Sequence, residues 1–262
     1  MRMMSIGSDF EMGLLQGLRP VSVEGRIGGT KERPMWVSED LGNMQEDNVL
    51  AEAAVVPCYS MGEFVRKMST LRTYLFNWAE GQQLKVATDC SIEYDRDQLM
   101  TPQAMEFGCD VDYNSWTGEV NPRPRPRGGR RSAGGHVHVG VEADAASLFA
   151  VGRAMDAFVT VPLMLVQDKV QRRMEIERRA LYGKAGAVRL KPYGLEYRTL
   201  SNQWTFSDQL IEFVYDAASR AVQFVADGHA PMLEELMIVP VVNTGSRPDL
   251  NYYYQLPGWE EV

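Results

Sequence analysis

Two of the chain's three histidines, His136 and His138, stand one residue apart in "SAGGHVHVGV" (132–141). Residues two apart on a β-strand share a face, and the glycines and valines around this pair suit a buried strand. The same polar-x-polar spacing recurs inside apolar sequence at Asp9 and Glu11, at Asp89, Ser91 and Glu93, and at Glu196 and Arg198. Glu52 lies in a segment otherwise made of alanine and valine. A carboxylate inside an apolar strand is costly unless it is paired or bound to a cation. If these strands adjoin, one sheet face carries several carboxylates and an imidazole. Hard oxygen donors select magnesium or manganese, with histidine as an occasional nitrogen ligand. Such a cluster can clamp a nucleotide triphosphate, whose charge also needs arginine or lysine. Taken singly, each pair has a plainer reading: a solvated sheet face, packing histidines, or a surface ion pair between Glu196 and Arg198.

Basic residues follow in "RRALYGKAGAVRLKPYGLEYRTLSN" (178–202), where Arg179, Lys184, Arg189, Lys191 and Arg198 are interleaved with Gly183, Gly186 and Gly194. Glycine allows close backbone approach to a ligand, and guanidinium groups bind phosphate bidentately. A solvated charge run with turn glycines is the alternative. Neither GxxxxGK[ST] nor GxGxxG occurs, so neither a P-loop nor a dinucleotide fold is indicated. The loop "RPRPRGGRR" (123–131) could hold an anionic substrate, cover phosphates, or be solvated.

The elements that must position these residues follow from periodicity. Residues 4–15, 48–58, 85–94, 135–141 and 194–204 read as strands, and 25–37 as a glycine-rich turn entering another. Pro57 favours a strand that stops there. Helices are expected at 61–81, at 143–183 with an interruption near Pro162, and at 207–228 between a serine cap and a glycine. Strands and helices do not alternate strictly. The pattern favours an α+β fold with a mainly antiparallel sheet and helices on one face. The other face is then free to present polar side chains.

Composition sets the outer bounds. At 262 residues the chain can form one large domain or two small ones. Its net charge of −8 speaks against broad non-specific nucleic-acid binding. The longest apolar run, "FVTVPLMLV" (158–166), is too short to span a bilayer, and the first residues carry no signal-peptide core. Cys58, Cys90 and Cys109 are scattered and show no metal spacing, which points to reduced thiols in a cytosol-like compartment.

In order, "GSDFEM", "EDNVLAEAAVVP", "GGHVHVG" and "YGKAGAVRLKPYGLEYRTLSN" resemble the phage-type COOH–NH2 ligases, over roughly residues 5–225. Those are amidoligases of the glutamine synthetase and glutamate–cysteine ligase superfamily. The resemblance implies a glutamine synthetase-like fold, a curved, mainly antiparallel sheet with helices packed on its outer face. It implies one catalytic domain over 1–262, with the tail 229–262 outside the motifs. ATP is expected at one end of the sheet and two or three Mg2+ or Mn2+ ions near its middle. Asp9 and Glu11 match the family's first acidic pair, normally Glu-x-Glu, as metal ligands. Glu52 matches the acid of the second motif, with a metal-binding and catalytic role. His136 matches a histidine that contacts metal and phosphate, with His138 in support. Glu196 matches a late metal ligand. Arg198, Arg189 and Lys191 match phosphate-contacting residues, the two arginines catalytic. Asp47 and Glu93 are further candidate acids.

The activity implied is ATP-dependent ligation of a small-molecule or peptide carboxylate to an amine through an acyl phosphate. It would run in the cytoplasm, a host's if the chain is phage-encoded, without membrane or nucleic-acid partners. A phosphotransferase of the guanidino kinase kind, and a non-enzymatic protein on a degenerate ligase fold, are the alternatives. The superfamily contains rings and monomers, so oligomeric state stays open.

Overall fold

A computed structural model describes residues 4–105, 111–124 and 128–259; Cys109 and part of the arginine-rich loop lie outside them. Eight strands form the main sheet. In chain order they are β1 (Ser5–Met12), β2 (Met35–Ser38), β3 (Gly42–Asp47), β4 (Leu50–Cys58), β5 (Tyr113–Asn114), β6 (Gly135–Gly140), β7 (Ala187–Lys191) and β8 (Gly194–Tyr197). Their spatial order is β2-β3-β4-β1-β6-β8-β7-β5, and every pairing is antiparallel.

Alternation gives this sheet two unlike faces. Along β1, Ile6, Phe10 and Met12 are fully buried while Asp9 and Glu11 point the other way. The apolar face is covered by helices, as the periodicity predicts. Helix α1 (Met61–Gly81) lies on β4 and β1, and places Phe64, Met68, Leu71 and Leu75 on one buried stripe. Ser60 caps it by accepting from the Glu63 amide at 3.3 Å. Helix α2 begins at Ala145 and packs on β7 and β8. Helices α3 (Lys169–Arg179) and α4 (Asp208–Ala226) follow, with the expected Ser207 cap on α4.

Four elements depart from the sequence expectation. The strand expected at 4–15 leaves the main sheet after Met12, and Leu14–Gln16 pairs in a small separate sheet. The helix expected at 143–183 is two helices: α2 runs on to Val166, and Asp168 caps α3 through a capping box. Within α2, residues Asp156–Thr160 form a π-turn just ahead of Pro162. The missing proline N–H thus falls where the α-helical ladder is already interrupted. Because 145–166 is one helical run, it is long and apolar enough to cross a membrane by length and composition, unlike the shorter stretch read from sequence; 78% of its most apolar window is nevertheless buried inside the protein. The strand expected at 85–94 is two short pieces, Lys85–Val86 and Ser91–Glu93, in two separate small sheets. The last expected strand ends at Tyr197 instead of 204, where the chain leaves the ladder for a 3₁₀ turn at Asn202–Phe206.

The C-terminal segment packs back on the π-turn. Trp259 is buried and its Nε1 donates to the Ala157 carbonyl at 3.0 Å. Asp156 in the same turn is fully buried; Tyr197 Oη donates to its Oδ1 (2.5 Å) and Trp116 Nε1 to its Oδ2 (2.7 Å). These bonds fasten the helix to the strand that carries Glu196. Burial pushes the Asp156 carboxyl up to about 6, against the pull of the Tyr197 and Trp116 hydrogen bonds. A carboxyl raised on folding carries no penalty below its ordinary value near 3.8 and the full penalty above about 6. Wild-type stability should therefore fall across that window by roughly 2–3 kcal/mol more than that of Asp156→Asn. Urea unfolding of both proteins at pH 4 and pH 7.5 checks this; parallel pH dependence would refute it.

Candidate active site

Register assembles the polar face. Residues opposed across an antiparallel ladder share a face. Gln45, Glu52 and Glu11 are opposed across β3, β4 and β1. Asp9 stands opposite His136, and His138, Glu196 and Arg189 form a row across β6, β8 and β7. Three of the four spaced pairs read from sequence thus meet on one face, with Glu52 among them. The fourth does not. Asp89 is exposed outside any strand, and Ser91–Glu93 pairs with Arg130–Ser132 in a small separate sheet. There Glu93 accepts from the Gly129 amide at 3.0 Å and lies 3.5 Å from Arg130 Nε, away from the polar face.

At one end of the face, Glu11, Asp47 and Glu52 bring carboxylate oxygens within 4.8 Å of one another. Asp47 is 2.8 Å from Lys31 Nζ, Gln45 Nε2 donates to Glu52 at 2.7 Å, and the Gly134 amide donates to Glu11 at 2.6 Å. This leaves one lysine among three acids. Burial, then the charges of Asp9, Asp47 and Glu11, push the Glu52 carboxyl well above the usual range. Burial raises Glu11 as well, against the pull of His136. Three all-oxygen donors whose mutual repulsion is incompletely offset form a set suited to a hard divalent cation.

Beside it, Asp9, His136 and Glu196 form a second cluster on the same 4.8 Å scale. His136 Nδ1 lies 2.8 Å from Asp9 Oδ1 and 3.9 Å from Glu196 Oε1. Burial would raise the Asp9 carboxyl, but His136 and His138 outweigh it and hold it well below the usual range. Ionised Asp9 can only accept, so Nδ1 carries the hydrogen in this bond. His136 Nε2 then stands over Gly134, where a Cβ would collide with the ring. A Cβ on Gly135 would collide with the Ser201 carbonyl and the Trp204 ring nitrogen. Gly134 is therefore a spatial requirement of the histidine's position, and Gly135 of the close passage of the segment at Ser201–Trp204. His138 Nδ1 is 2.5 Å from Tyr193 Oη, and its Nε2 lies at ion-pair distance from Asp9, 3.2 Å.

Glu196 is fully buried and gathers three cations. Arg189 Nη1 donates to both its oxygens at 3.1 and 3.0 Å, Lys191 Nζ is 3.0 Å away, and Arg198 Nη1 bonds Oε1. Burial alone would raise this carboxyl; Arg198 foremost, with His136 and Arg189, brings it to about 2. Arg198 Nε also lies 3.5 Å from Asp112. Of the five basic residues singled out in 178–202, these three converge. Arg179 instead lies 3.6 Å from Glu175 on α3, and Lys184 lines a separate surface cavity.

Sequence reasoning did not place Gln45, Lys31, Asp112 or Tyr193 here, and Asp47 only as an unassigned acid. A signal for the first was present: "GNMQED" puts Asn43, Gln45 and Asp47 at the same two-residue spacing, around buried Met44. A groove of about 370 Å³ opens from Asp9 and His138 between Tyr59 and Tyr193. The face thus offers an acidic end, a cationic end and an adjoining groove.

Residues 129–242, somewhat under half of the chain, match the model of a family described as phage phiEco32-like COOH.NH2 ligase-type 2. No curated protein sequence matches the chain. Among solved structures, a bifunctional glutathione synthetase from Pasteurella multocida aligns with 99% of this chain at 11% identity and a TM-score of 0.44. This chain covers 46% of that protein, about half its length. A structure described as a novel glutamine synthase homolog aligns with 98% of this chain at 11% identity and a TM-score of 0.40, over 67% of its own length. In the segment that supplies His136, Arg189, Glu196 and Arg198, the chain is similar to the phage phiEco32-like COOH–NH2 ligases of type 2.

Proposed function

We propose that the chain is an ATP-dependent carboxylate–amine ligase that works through an acyl phosphate, with its polar sheet face as the active site of one catalytic domain. The observation that supports this best is the pairing of two acid clusters with a buried Glu196 held by Arg189, Lys191 and Arg198. A carboxylate resists attack by an amine at neutral pH. Transfer of the γ-phosphoryl group of ATP to a carboxylate oxygen releases ADP and gives an acyl phosphate. The amine nitrogen then attacks the carbonyl carbon, the C–O bond to phosphate breaks, and inorganic phosphate and a proton leave as the amide forms. The protein's task is charge compensation around the phosphates and positioning of both substrates.

Glu11, Asp47 and Glu52 would hold one Mg2+ or Mn2+ ion, and Asp9 and Glu196 a second, which His136 would join through Nε2 because its Nδ1 hydrogen is given to Asp9. The bound ions would offset phosphate charge. Arg198 and Arg189, kept in place by Glu196, would contact the transferring phosphoryl group, with Lys191 on an outer phosphate oxygen. Because these side chains are already ordered, little conformational entropy is lost when phosphate arrives. We assign Glu52 the amine's proton as well, taken by a carboxylate oxygen that the ion leaves free.

Three outcomes are expected. A screen of carboxylic acids and amines should find a pair that stimulates ADP release, with mass spectrometry detecting the amide. ADP with a stable phospho-product and no amide would make the chain a phosphotransferase instead. Arg198→Ala should lower turnover on the order of 100-fold or more, with Arg198→Lys also impaired for lack of the planar fork; near-wild-type turnover in Arg198→Ala would remove its catalytic role. Glu52→Gln should melt at or above the wild-type temperature in EDTA, because one of three repelling carboxylates is gone. It should also lose the rise in melting temperature that Mg2+ or Mn2+ gives the wild type. A destabilised variant with an intact metal response would refute the cation assignment.

A further inference from the structure

The groove between Tyr59 and Tyr193 continues the polar face past Asp9 and His138. Its floor is nearly bare of side chains. Gly7, two residues before Asp9 on β1, stands opposite His138, and Ala54 on β4 stands opposite Asp9. Both therefore lie on the face that carries Asp9 and Glu52. The two tyrosines form the walls and are 54% and 46% exposed. The fold does not require the space above Gly7. A Cβ there would come no closer than 3.4 Å, to the Val55 carbonyl oxygen, which is ordinary contact. A Cβ on Gly140, at the far end of the floor, would collide with Ser5 Oγ. One glycine of the floor thus answers to packing, and the other leaves room that packing does not use.

Charge selects among the reactants of a carboxylate–amine ligation. Among the described residues, the groove is lined by no arginine and no lysine. Lys191 shares a row of the sheet with Gly140, but its Nζ is 3.0 Å from Glu196. Both nitrogens of His138 are turned inward, Nδ1 to Tyr193 Oη and Nε2 to Asp9. The ions proposed for the polar face would be committed to the phosphates of ATP. A carboxylate entering the groove would lose water and find no cation. An amine on an uncharged apolar body needs none, and its body would meet the tyrosine rings and Val55. Direction agrees with charge. Ala54 is two residues from Glu52 on the same face of β4, so the groove leads on to the carboxylate assigned the amine's proton. We propose that this groove seats the acceptor, and that the acceptor is a primary amine with an apolar body and no carboxylate of its own. The assignment rests on the ligase reading of the polar face and narrows its amine to a class that leaves out the α-amino acids.

Calorimetry of the full chain with Mg2+ and no nucleotide tests this, with phenethylamine and isoamylamine as probes. L-Phenylalanine and L-leucine add a carboxylate to the same bodies, methylamine lacks the body, and adenosine represents the nucleotide base. Saturable binding of the two probes is expected, with the amino acids and methylamine at least tenfold weaker and adenosine unable to displace them. Gly7→Ala puts a methyl group on the floor. It should weaken phenethylamine at least tenfold, yet melt at or above the wild-type temperature. If that variant is destabilised, Tyr59→Ala, which removes an exposed wall, takes its place with the same expected loss. Equal binding of an amino acid, displacement by adenosine, or binding that survives in the variant used would overturn the assignment. Failure of both probes to bind would also overturn it, and ADP release with another acceptor would then leave the ligase reading standing. Probe binding that is lost in the variant, without turnover on any pair of substrates, would keep the amine site and remove the ligase reading.

Discussion

A carboxylate with no exposure to solvent, Glu196, sits at the centre of this molecule with three cationic side chains on it. Bringing four charges into a sheet interior is repaid only when all of them meet in good geometry. That requirement constrains β6, β7 and β8 more tightly than packing alone. A one-residue slip of β8 would turn Glu196 to the helix side and bring Tyr197, now hydrogen-bonded to Asp156 and Thr160, to the polar side. The contents of both faces would be exchanged at once. The arrangement is therefore all or nothing, and the strands on either side inherit their register from it.

Charge changes sign across the face. The end formed by β3, β4 and β1 holds Asp47, Glu52 and Glu11 with one lysine, and the end formed by β8 and β7 holds three cations around Glu196, with Asp112 beside Arg198. Asp9 and His136 lie at the boundary. The acidic end is held together against electrostatic preference by the ladder beneath it, a tension more expected of a working site than of a structural ion pair. A polyphosphate bridged by cations on one side and guanidinium groups on the other would complement such a gradient, which supports the ligase reading.

Much of this was legible because the β-strand period is two. The pairs Asp9–Glu11 and His136–His138 lie on true ladder strands, and Arg198 follows the last residue of Glu196's strand with its amide still bonded to the Ala187 carbonyl, so spacing translated directly into a shared face. Asp89–Glu93 had the same spacing and failed, because alternation becomes a face only when a ladder partner exists on both sides of the turn. Here the chain changes sheet between Val86 and Ser91. Strand β3 escaped notice because only Met44 interrupts its polar residues. Nor does sequence distinguish Arg179 from Arg189: one closes a helix and the other enters a strand, and only that difference sends them to separate places. The docking of Trp259 on Ala157 joins positions 102 residues apart and leaves no local trace.

The π-turn at Asp156–Thr160 has a consequence for how this chain can vary. An added residue in a helical run offsets everything beyond it by about 100° of rotation and 1.5 Å of rise. The first half of α2 is phased to the sheet through Asp156, and Thr160 meets the same Tyr197 hydroxyl at 2.6 Å. The second half is phased to bury Val161 and Met164. The two halves thus obey different helical frames, joined at one point. Substitutions in this stretch alter packing locally, but insertion or deletion of a single residue shifts one frame against the other. The helix can drift in composition over evolution while its length stays fixed.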